Sequence, residues 1–311
     1  MVVIMQDSFD FYSPTNLKSY NLDESVRYQL NILSTLDVFT RKHSENVGNL
    51  ALRICETLHL RKNFTIYCAI CGYLHDIGKA FIPPEILQKE AKLTDEEFEI
   101  MKTHTTIGYD ICMKDLKLRP YANGPLYHHE GLDGSGYPNG VTYEHIPYES
   151  QIIRIADEYD AIVSKRQYKS HVNISDTLEL IVSKTKPSVN DSKAKVSNVG
   201  KVDPKIVKAL LKVVKADINY EIACVYEYIE YLKEQIKRLE NIKRWHNEMQ
   251  TFTSEKDIAY YTKIIKKTFS QGENFENYLE ILAEYRRALD IRTERINLLY
   301  DEIKKIKKLE C

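Results

Sequence analysis

The sequence predicts an all-α protein, and three observations support this prediction. Apolar residues recur at spacings of three and four in several separate stretches, which is the spacing of one helix face. Signals typical of helix ends accompany these stretches, such as Thr94 followed by Glu97, the pattern of a capping box. After residue 218, leucine and isoleucine recur every seven residues, which is typical of coiled-coil-like helices.

Taken in order, the chain consists of a short lead followed by a series of predicted helices. Residues 1–20 contain turn-forming residues around Pro14 and no clear periodicity. Thr40 is a candidate N-cap for the helix that carries the apolar stripe from Val47 to Leu58. Helices are predicted over residues 22–36, 41–59, 64–76, 94–114, 119–130, 148–166 and 175–185, and a last one begins at Pro204.

The C-terminal region has a different pattern from the rest of the chain. Heptad seams run through residues 222–239 and 282–306, and the segment 270–274 interrupts the helical periodicity. The pattern fits a long antiparallel helical hairpin or a three-helix bundle that includes residues 255–269. We assign this region to packing or to homodimerisation, with packing against the rest of the chain as the alternative. The predicted divisions are a lead (1–20), a first domain (21–217) and a helical extension (218–311).

Composition and charge argue against several classes of protein. The 311 residues have a formal net charge of −1, so there is no electrostatic basis for binding bulk nucleic acid or a membrane surface. No apolar run approaches the roughly 18 residues that span a bilayer, and no signal peptide is apparent. Six scattered cysteines do not form a disulfide framework, and Cys68 and Cys71 are expected to pack in the core. We expect a reduced, cytoplasmic protein.

Five histidines and two aspartates form one candidate metal-binding set. The set centres on His75 and Asp76, at the predicted end of a helix. His43 and His104 fall on the apolar faces of their predicted helices, where a histidine is either a satisfied core residue or a ligand. The full set is His43, His75, Asp76, His104, His128, His129 and Asp157.

The chemistry of this set suits divalent metals. Imidazole and carboxylate groups are preferred protein ligands for iron, manganese and zinc. Burying the carboxylate of Asp76 would cost several kcal/mol unless it were paired or coordinated a metal. Its two oxygens could bridge two metals about 3.5–4 Å apart, as in two-metal hydrolytic sites. Lys79 would then reach a phosphate oxygen, and a solvated lysine at a helix end is the alternative.

Several motifs, in the same order, resemble the HD-GYP family, a branch of the HD metal-dependent phosphohydrolases. The resemblance covers residues 37–217, about three-fifths of the chain. A single motif would be weak evidence, but a series in order is specific. The motifs are DVFTRKH at 37–43, HDIGK at 75–79, LTDEE at 93–97, HHE at 128–130, DGSGYP at 133–138, IADEYDA at 155–161 and RQYK at 166–169.

The resemblance implies a helical HD-domain bundle that hydrolyses cyclic di-GMP with two divalent metals. The product would be the linear dinucleotide pGpG or GMP. By the family pattern, one metal is held by His43, His75, Asp76 and Asp157, and the other by Asp76, His104, His128 and His129.

The resemblance also implies roles around the metals. Asp76 and Lys79 would act in catalysis, and Lys79 would also contact the substrate. Arg166 and Lys169 would bind the phosphates of the ligand, for which the donor fork of arginine is well suited. Tyr137 lies in a loop rich in glycine and proline, which is expected to form a wall of the substrate site.

One position departs from the family pattern. Some family members carry a glutamate four residues before the first histidine and bind a third metal, whereas this chain has Phe39, which cannot coordinate a metal. We therefore expect two metals, with iron or manganese ahead of zinc by resemblance. Two alternatives stay open: hydrolysis of another cyclic dinucleotide such as cyclic GMP-AMP, and a non-catalytic nucleotide-sensing scaffold.

Overall fold

A computed structural model describes residues 15–166, 173–187 and 193–309 of the chain. Within these residues the fold is all-α, as predicted, with twelve α-helices and four short 3-10 helices. The described part contains no β-strand, and its one isolated bridge joins Asp133 to Thr142. None of its helices is both long enough and apolar enough to cross a lipid bilayer.

The chain divides into two compact units. The first unit comprises Met1–Val214 with Ile306–Cys311, and the second comprises Lys215–Lys305. The boundary between residues 214 and 215 falls within the 46-residue helix Pro204–Met249.

The first unit contains nine short and medium helices and the start of the tenth. The unit also contains four 3-10 helices, of which the first precedes α1: Asn16–Tyr20, Leu30–Thr35, Ile77–Phe81 and Arg119–Tyr121. The helices are α1 (Glu24–Gln29), α2 (Val38–Thr57), α3 (Lys62–Leu74), α4 (Pro84–Leu87), α5 (Asp95–Lys102), α6 (His104–Lys114), α7 (Asn123–Tyr127), α8 (Tyr148–Arg166), α9 (Ile174–Ser183) and α10 (Pro204–Met249).

The start of α2 differs from the prediction. The N-cap is Asp37, whose carboxylate accepts hydrogen bonds from the backbone N–H groups of Phe39 and Thr40, so the prediction of Thr40 as N-cap is wrong. Aspartate suits this position because its charge also faces the positive end of the helix dipole. The earlier start places His43 in the second turn of α2.

The helix predicted over 94–114 is two helices, α5 and α6. Thr103 separates them, and its hydroxyl donates to the carbonyl oxygen of Ile100. Such bonds compete with continuation of a helix. Ile100 of α5 is 42% exposed, whereas His104 of α6 is buried, so these two side chains do not share one buried face. The predicted capping box of Thr94 and Glu97 is confirmed.

The core of the first unit is formed where α2 packs against α3 and α8. Its buried residues include Val47 and Ile54 on α2 and Ile152 on α8. Cys68 and Cys71 are free thiols and fully buried, which confirms their predicted place in the core. Burying one large aliphatic side chain contributes about 1.5–3 kcal/mol, so these stripes hold the three helices in place. They thereby fix the positions of the histidines on them.

The second unit contains the rest of α10 together with α11 (Glu255–Thr268) and most of α12 (Tyr278–Leu309). Arg295 bonds to Glu221 and Arg286 to Glu240, so α10 and α12 run antiparallel. Ile265 of α11 packs with both helices at one end only. The unit therefore combines the two predicted arrangements, a long hairpin with a three-helix cluster built from Ile236, Leu239, Ile242, Ile265, Tyr278 and Leu282.

Candidate metal centre

Asp76 lies at a tight bend between α3 and a 3-10 helix. α3 ends at Leu74, and the 3-10 helix begins at Ile77. The bend can lie against α6 because residue 78 is glycine: a Cβ there would come within 1.9 Å of the carbonyl oxygen of His104. This close approach places the buried carboxylate of Asp76 beside His104.

The two carboxylate oxygens of Asp76 face two different groups of histidines. Oδ2 lies 3.2 Å from Nε2 of His75 and 3.7 Å from Nε2 of His43. Oδ1 lies 3.5 Å from Nε2 of His104 and 3.9 Å from Nε2 of His128. Asp76 is therefore positioned between the two groups that the family pattern assigns to two metals.

Three of these histidines are held by the same kind of contact. Nδ1–H of His75 donates to the carbonyl of Gly72 at 2.7 Å, and that of His104 to the carbonyl of Met101 at 2.6 Å. His128 makes the equivalent bond to Pro125 at 2.7 Å. A carbonyl oxygen can only accept, so Nδ1 is the donor in each case, and in the neutral, metal-binding form of the ring the lone pair is on Nε2, the atom that faces Asp76. Such bonds orient histidine ligands in metal sites.

His43 connects α2 to α8 through two carboxylates. Its Nε2 lies 3.0 Å from Asp157 Oδ1, and its Nδ1 lies 2.7 Å from Asp160 Oδ2. The other oxygen of Asp160 accepts from Asn46 Nδ2 at 3.0 Å. Asp160 was not among the residues predicted for the site, although its position three residues after Asp157 places both on one face of α8. We interpret Asp160 as the residue that orients His43.

His129 contacts both Asp157 and the ring of Tyr137. Its Nδ1 lies 3.9 Å from Asp157 Oδ2. The rings of His129 and Tyr137 are stacked, with centroids 4.7 Å apart and an interplanar angle of 28°. Both adjacent histidines can face the cluster because α7 ends at Tyr127, immediately before them.

The donor set fits bound cations. Nε2 of His75 and Oδ1 of Asp76 are buried and have no hydrogen-bond partner. Nε2 of His104 and Nε2 of His128 approach to 3.2 Å, although both carry lone pairs. Potential ligand atoms lie within 4.8 Å of one another in three groups: His104, His128 and His129; His43, His75 and Asp157; and His75, Asp76 and His128.

Electrostatics keep most of these groups in the form that binds metals. Burial lowers the pKa of His104 and, much further, that of His128, and it lowers the pKa of His129 to about 3. Burial opposes ionisation of Asp76, but the neighbouring His75 and Lys79 hold its pKa well below the usual range. Neutral imidazoles and an ionised carboxylate are the species that coordinate cations.

His43 differs from the other histidines. Burial alone would lower the pKa of His43, but hydrogen bonds to Asp157 and Asp160 raise it to about 10. The protonated His43 ring therefore supplies the positive charge that Asp157 and Asp160 face, and a bound cation could supply that charge instead.

Lys79 contacts the metal-binding cluster through Asp76. Its ammonium group donates to Asp76 Oδ2 at 2.5 Å, and the side chain is partly exposed. Although burial opposes it, the charge of Asp76 raises the pKa of Lys79. Lys79 is thus a cation at the edge of the site, as its predicted contact with substrate requires.

Two predicted phosphate-binding residues lie outside what the structure describes. Arg166 is the last residue of α8, but its side chain is outside the described atoms, and Lys169 is entirely outside the described residues. Their roles stay predictions. Phe39, at the position of the third-metal glutamate in some family members, is 73% exposed.

Glu130 holds the glycine-rich loop and was missed by the sequence analysis. Its buried carboxylate accepts from the backbone N–H groups of Asn139 at 2.7 Å, Gly140 at 3.0 Å and Val141 at 3.2 Å. Gly136 packs so closely on this segment that a Cβ would lie 2.4 Å from Glu130 Cα. These contacts place Tyr137 against His129. In the sequence, the position of Glu130 between two histidines and a glycine-rich loop was the pattern that could have predicted this role.

Comparison with known proteins supports the assignment of the family. A family model described as HD domain matches residues 27–192. The chain is 40% identical over 190 residues to a cyclic di-GMP phosphodiesterase of Thermotoga maritima, an alignment that covers 60% of this chain and 48% of the relative.

Two further relatives show the range of substrates among similar proteins. The chain is 39% identical over 127 residues to the cyclic di-GMP phosphodiesterase response regulator RpfG of Xanthomonas campestris, covering 40% of this chain and 34% of the relative. It is 30% identical over 151 residues to 3'3'-cGAMP-specific phosphodiesterase 1 of Vibrio cholerae, covering 49% and 35%.

The chain thus spans about half, or less, of the length of these relatives. The matched range contains all seven candidate ligands and the glycine-rich loop, and it covers more than half of the chain. The chain belongs to the HD domain family, in its HD-GYP branch.

Proposed function

We propose that the protein is a metal-dependent phosphodiesterase that hydrolyses cyclic di-GMP to pGpG or GMP. The observation that carries this proposal is the convergence of four histidines, His43, His75, His104 and His128, on the two oxygens of Asp76. His129 and Asp157 complete the neighbouring groups of potential ligands. Similarity to curated cyclic di-GMP phosphodiesterases supports the choice of substrate.

The proposed cofactors are two divalent cations, iron or manganese ahead of zinc. His43, His75, Asp76 and Asp157 would hold one, and Asp76, His104, His128 and His129 the other. When bound, such cations lower the pKa of a water nucleophile and stabilise charge on phosphate oxygens.

The residues of the chain would prepare this chemistry in several ways. Backbone carbonyls fix the imidazoles of His75, His104 and His128, so little reorganisation is needed during reaction. Lys79 adds a positive charge where negative charge develops on the phosphate. Tyr137 would form a wall beside His129 that limits the access of water. Arg166 and Lys169 would hold the second phosphate.

The test is turnover of cyclic di-GMP by the metal-replete protein and by Asp76→Ala. We expect product from the wild type, and loss of both activity and bound metal in the variant, because Asp76 is shared by both groups. Intact metal in the wild type without hydrolysis of any cyclic dinucleotide would refute the proposal and favour a nucleotide-sensing scaffold.

A second candidate function is hydrolysis of 3'3'-cyclic GMP-AMP. Similarity to a relative specific for that nucleotide favours it, and the same ligand set would serve both substrates. Parallel assays with the two cyclic dinucleotides at equal concentration decide between them by kcat/KM.

We also propose that the second unit forms a homodimer. Large apolar side chains remain exposed on α12, among them Ile291 and Leu298, and tyrosines such as Tyr226 and Tyr231 are exposed on α10. Light scattering after size-exclusion chromatography should give twice the chain mass, and a mass of one chain at all concentrations would refute the dimer. A cytoplasmic location stays a prediction from the sequence.

A further inference from the structure

α5 places an aromatic side chain and a lysine beside the wall of the metal centre. The ring of Phe98 contacts Tyr137 edge to face, with centroids 6.1 Å apart and an interplanar angle of 80°. Tyr137 in turn stacks on His129, one of the candidate ligands. A row of three rings therefore leads from the metal centre to the surface of the first unit.

The ammonium group of Lys102 lies over the two outer rings, and a base that stacked on the same side of Phe98 would displace it towards the edge of the ring. Its Nζ is 4.9 Å from the centroid of Phe98 and 5.6 Å from that of Tyr137. Lys102 forms an ion pair with the exposed carboxylate of Glu99 at 2.6 Å. Exposed pairs of this kind contribute little free energy, so the ammonium group can exchange Glu99 for another acceptor.

Phe98 presents part of its aromatic ring to solvent. No residue of α5 is buried, and Phe98 is 42% exposed. An exposed ring next to a cation suits a flat aromatic ligand that has acceptor atoms on its edge. Guanine fits this description because O6 and N7 are adjacent acceptors, whereas adenine has a donor, N6, in place of O6.

We propose that Phe98 and Lys102 form a guanine subsite beside the metal centre, with Phe98 stacking on the base and Lys102 donating to O6 and N7. The inference rests on the proposed function, because the base would belong to a cyclic dinucleotide whose phosphate lies at Asp76. It assigns α5 a role in substrate choice: the subsite favours guanine over adenine at one of the two base positions.

The stacking step is tested by steady-state kinetics of Phe98→Ala with cyclic di-GMP. We expect KM to rise between about fivefold and a hundredfold with kcat largely retained, since base–aromatic stacking has this range of effect. Phe98→Tyr, which keeps a ring, should restore KM. Ile100→Ala is the matched control, because Ile100 is on the same helix with the same 42% exposure and should leave KM unchanged.

The base-reading step is tested with 5'-GMP and 5'-AMP as competitive inhibitors. The wild type should bind GMP more tightly than AMP, and Lys102→Ala should remove most of this preference, a change of about fivefold or more. The control is Lys114→Ala, which removes one exposed positive charge from α6. Equal weakening of GMP and AMP would show that Lys102 contacts phosphate and not the base, which would overturn this step.

The two proposals fail in different ways. If the wild type hydrolyses no cyclic dinucleotide, the proposed function fails before any variant is compared. If the wild type is active and Phe98→Ala keeps the KM of the wild type with normal metal content, the subsite is wrong and the phosphodiesterase stands. The exposure of Phe98 and Lys102 to solvent makes loss of folding an unimportant cause of either result, and circular dichroism checks this directly.

Discussion

In the first unit, buried polar side chains at the metal centre keep atoms free for a ligand, whereas in the second unit they bond to one another. His75 Nε2 and Asp76 Oδ1 have no hydrogen-bond partner. In the second unit, Arg238 forms a two-point ion pair with Glu273 at 2.5 Å for each contact and also donates to the carbonyl of Thr268.

The histidines of the two units show the same difference. His246 of the second unit contacts the hydroxyl of Tyr278 through Nδ1 at 2.9 Å, so a polar partner is already present. In the metal centre, His104 and His128 face each other through Nε2. Burying polar atoms without partners costs free energy. Such unpartnered atoms occur at the metal centre, whereas His246 has a polar partner. This difference indicates that a cation pairs with the free atoms of the metal centre.

Removal of metal should produce the largest effect. Chelation should abolish activity and lower the thermal stability of the first unit by about 4 kcal/mol for a site filled at a thousand times its Kd. Circular dichroism follows the whole chain, while the single tryptophan, Trp245, reports the second unit. The fluorescence transition should move less than the dichroism transition. If chelation shifted the fluorescence and dichroism transitions equally, the two units would unfold together, and the metal would not stabilise the first unit selectively.

Arg238→Met, in the second unit, should lower the free energy of unfolding and leave the phosphodiesterase activity unchanged. It removes the ion-pair partner of Glu273, whose side chain is 5% exposed and would keep only the backbone N–H of Ser270 as a donor. The free energy of unfolding should fall by about 3 kcal/mol, as for a broken buried pair. Urea denaturation followed by Trp245 measures this change. Arg286→Met is the control: its pair with Glu240 is exposed, so its cost should stay below about 1 kcal/mol.

Asp160→Asn should weaken the metal centre without removing a ligand. Loss of the carboxylate that orients His43 should lower metal affinity or kcat/KM by about 10–100-fold, the usual effect of a residue behind a ligand. Metal content after dialysis, measured by mass spectrometry, provides a readout independent of turnover. Asp110→Asn, on the exposed face of α6, should retain metal. If the two variants behave alike, Asp160 does not position His43.

Glu130→Gln should produce the smallest of these effects. The amide keeps one acceptor but places a donor among three backbone N–H groups. We expect a loss of about 1 kcal/mol in the free energy of unfolding and a higher KM, because the loop that carries Tyr137 is less firmly held. Unchanged KM would indicate that this loop does not contact substrate.

Much of the fold and the candidate ligand set was predicted from the sequence. Helical periodicity depends on local spacing, so α2, α3 and α8 were recognised close to their observed bounds. The capping box at Thr94 is likewise a local pattern. Errors arose where local hydrogen bonds decide where a helix begins or ends, as at Asp37, which caps α2, and at Thr103, which separates α5 from α6.

By itself, the sequence determined the all-α class, the two kinds of helical region and the residue types able to bind metal, because composition and periodicity are properties of short stretches. Only the tertiary structure decided which oxygen of Asp76 faces which histidine, that Asp160 supports His43, and that Phe98 and Lys102 lie beside Tyr137. Apart from the contact between the adjacent His75 and Asp76, these contacts join residues from different elements, and their geometry depends on how the helices pack rather than on any local pattern.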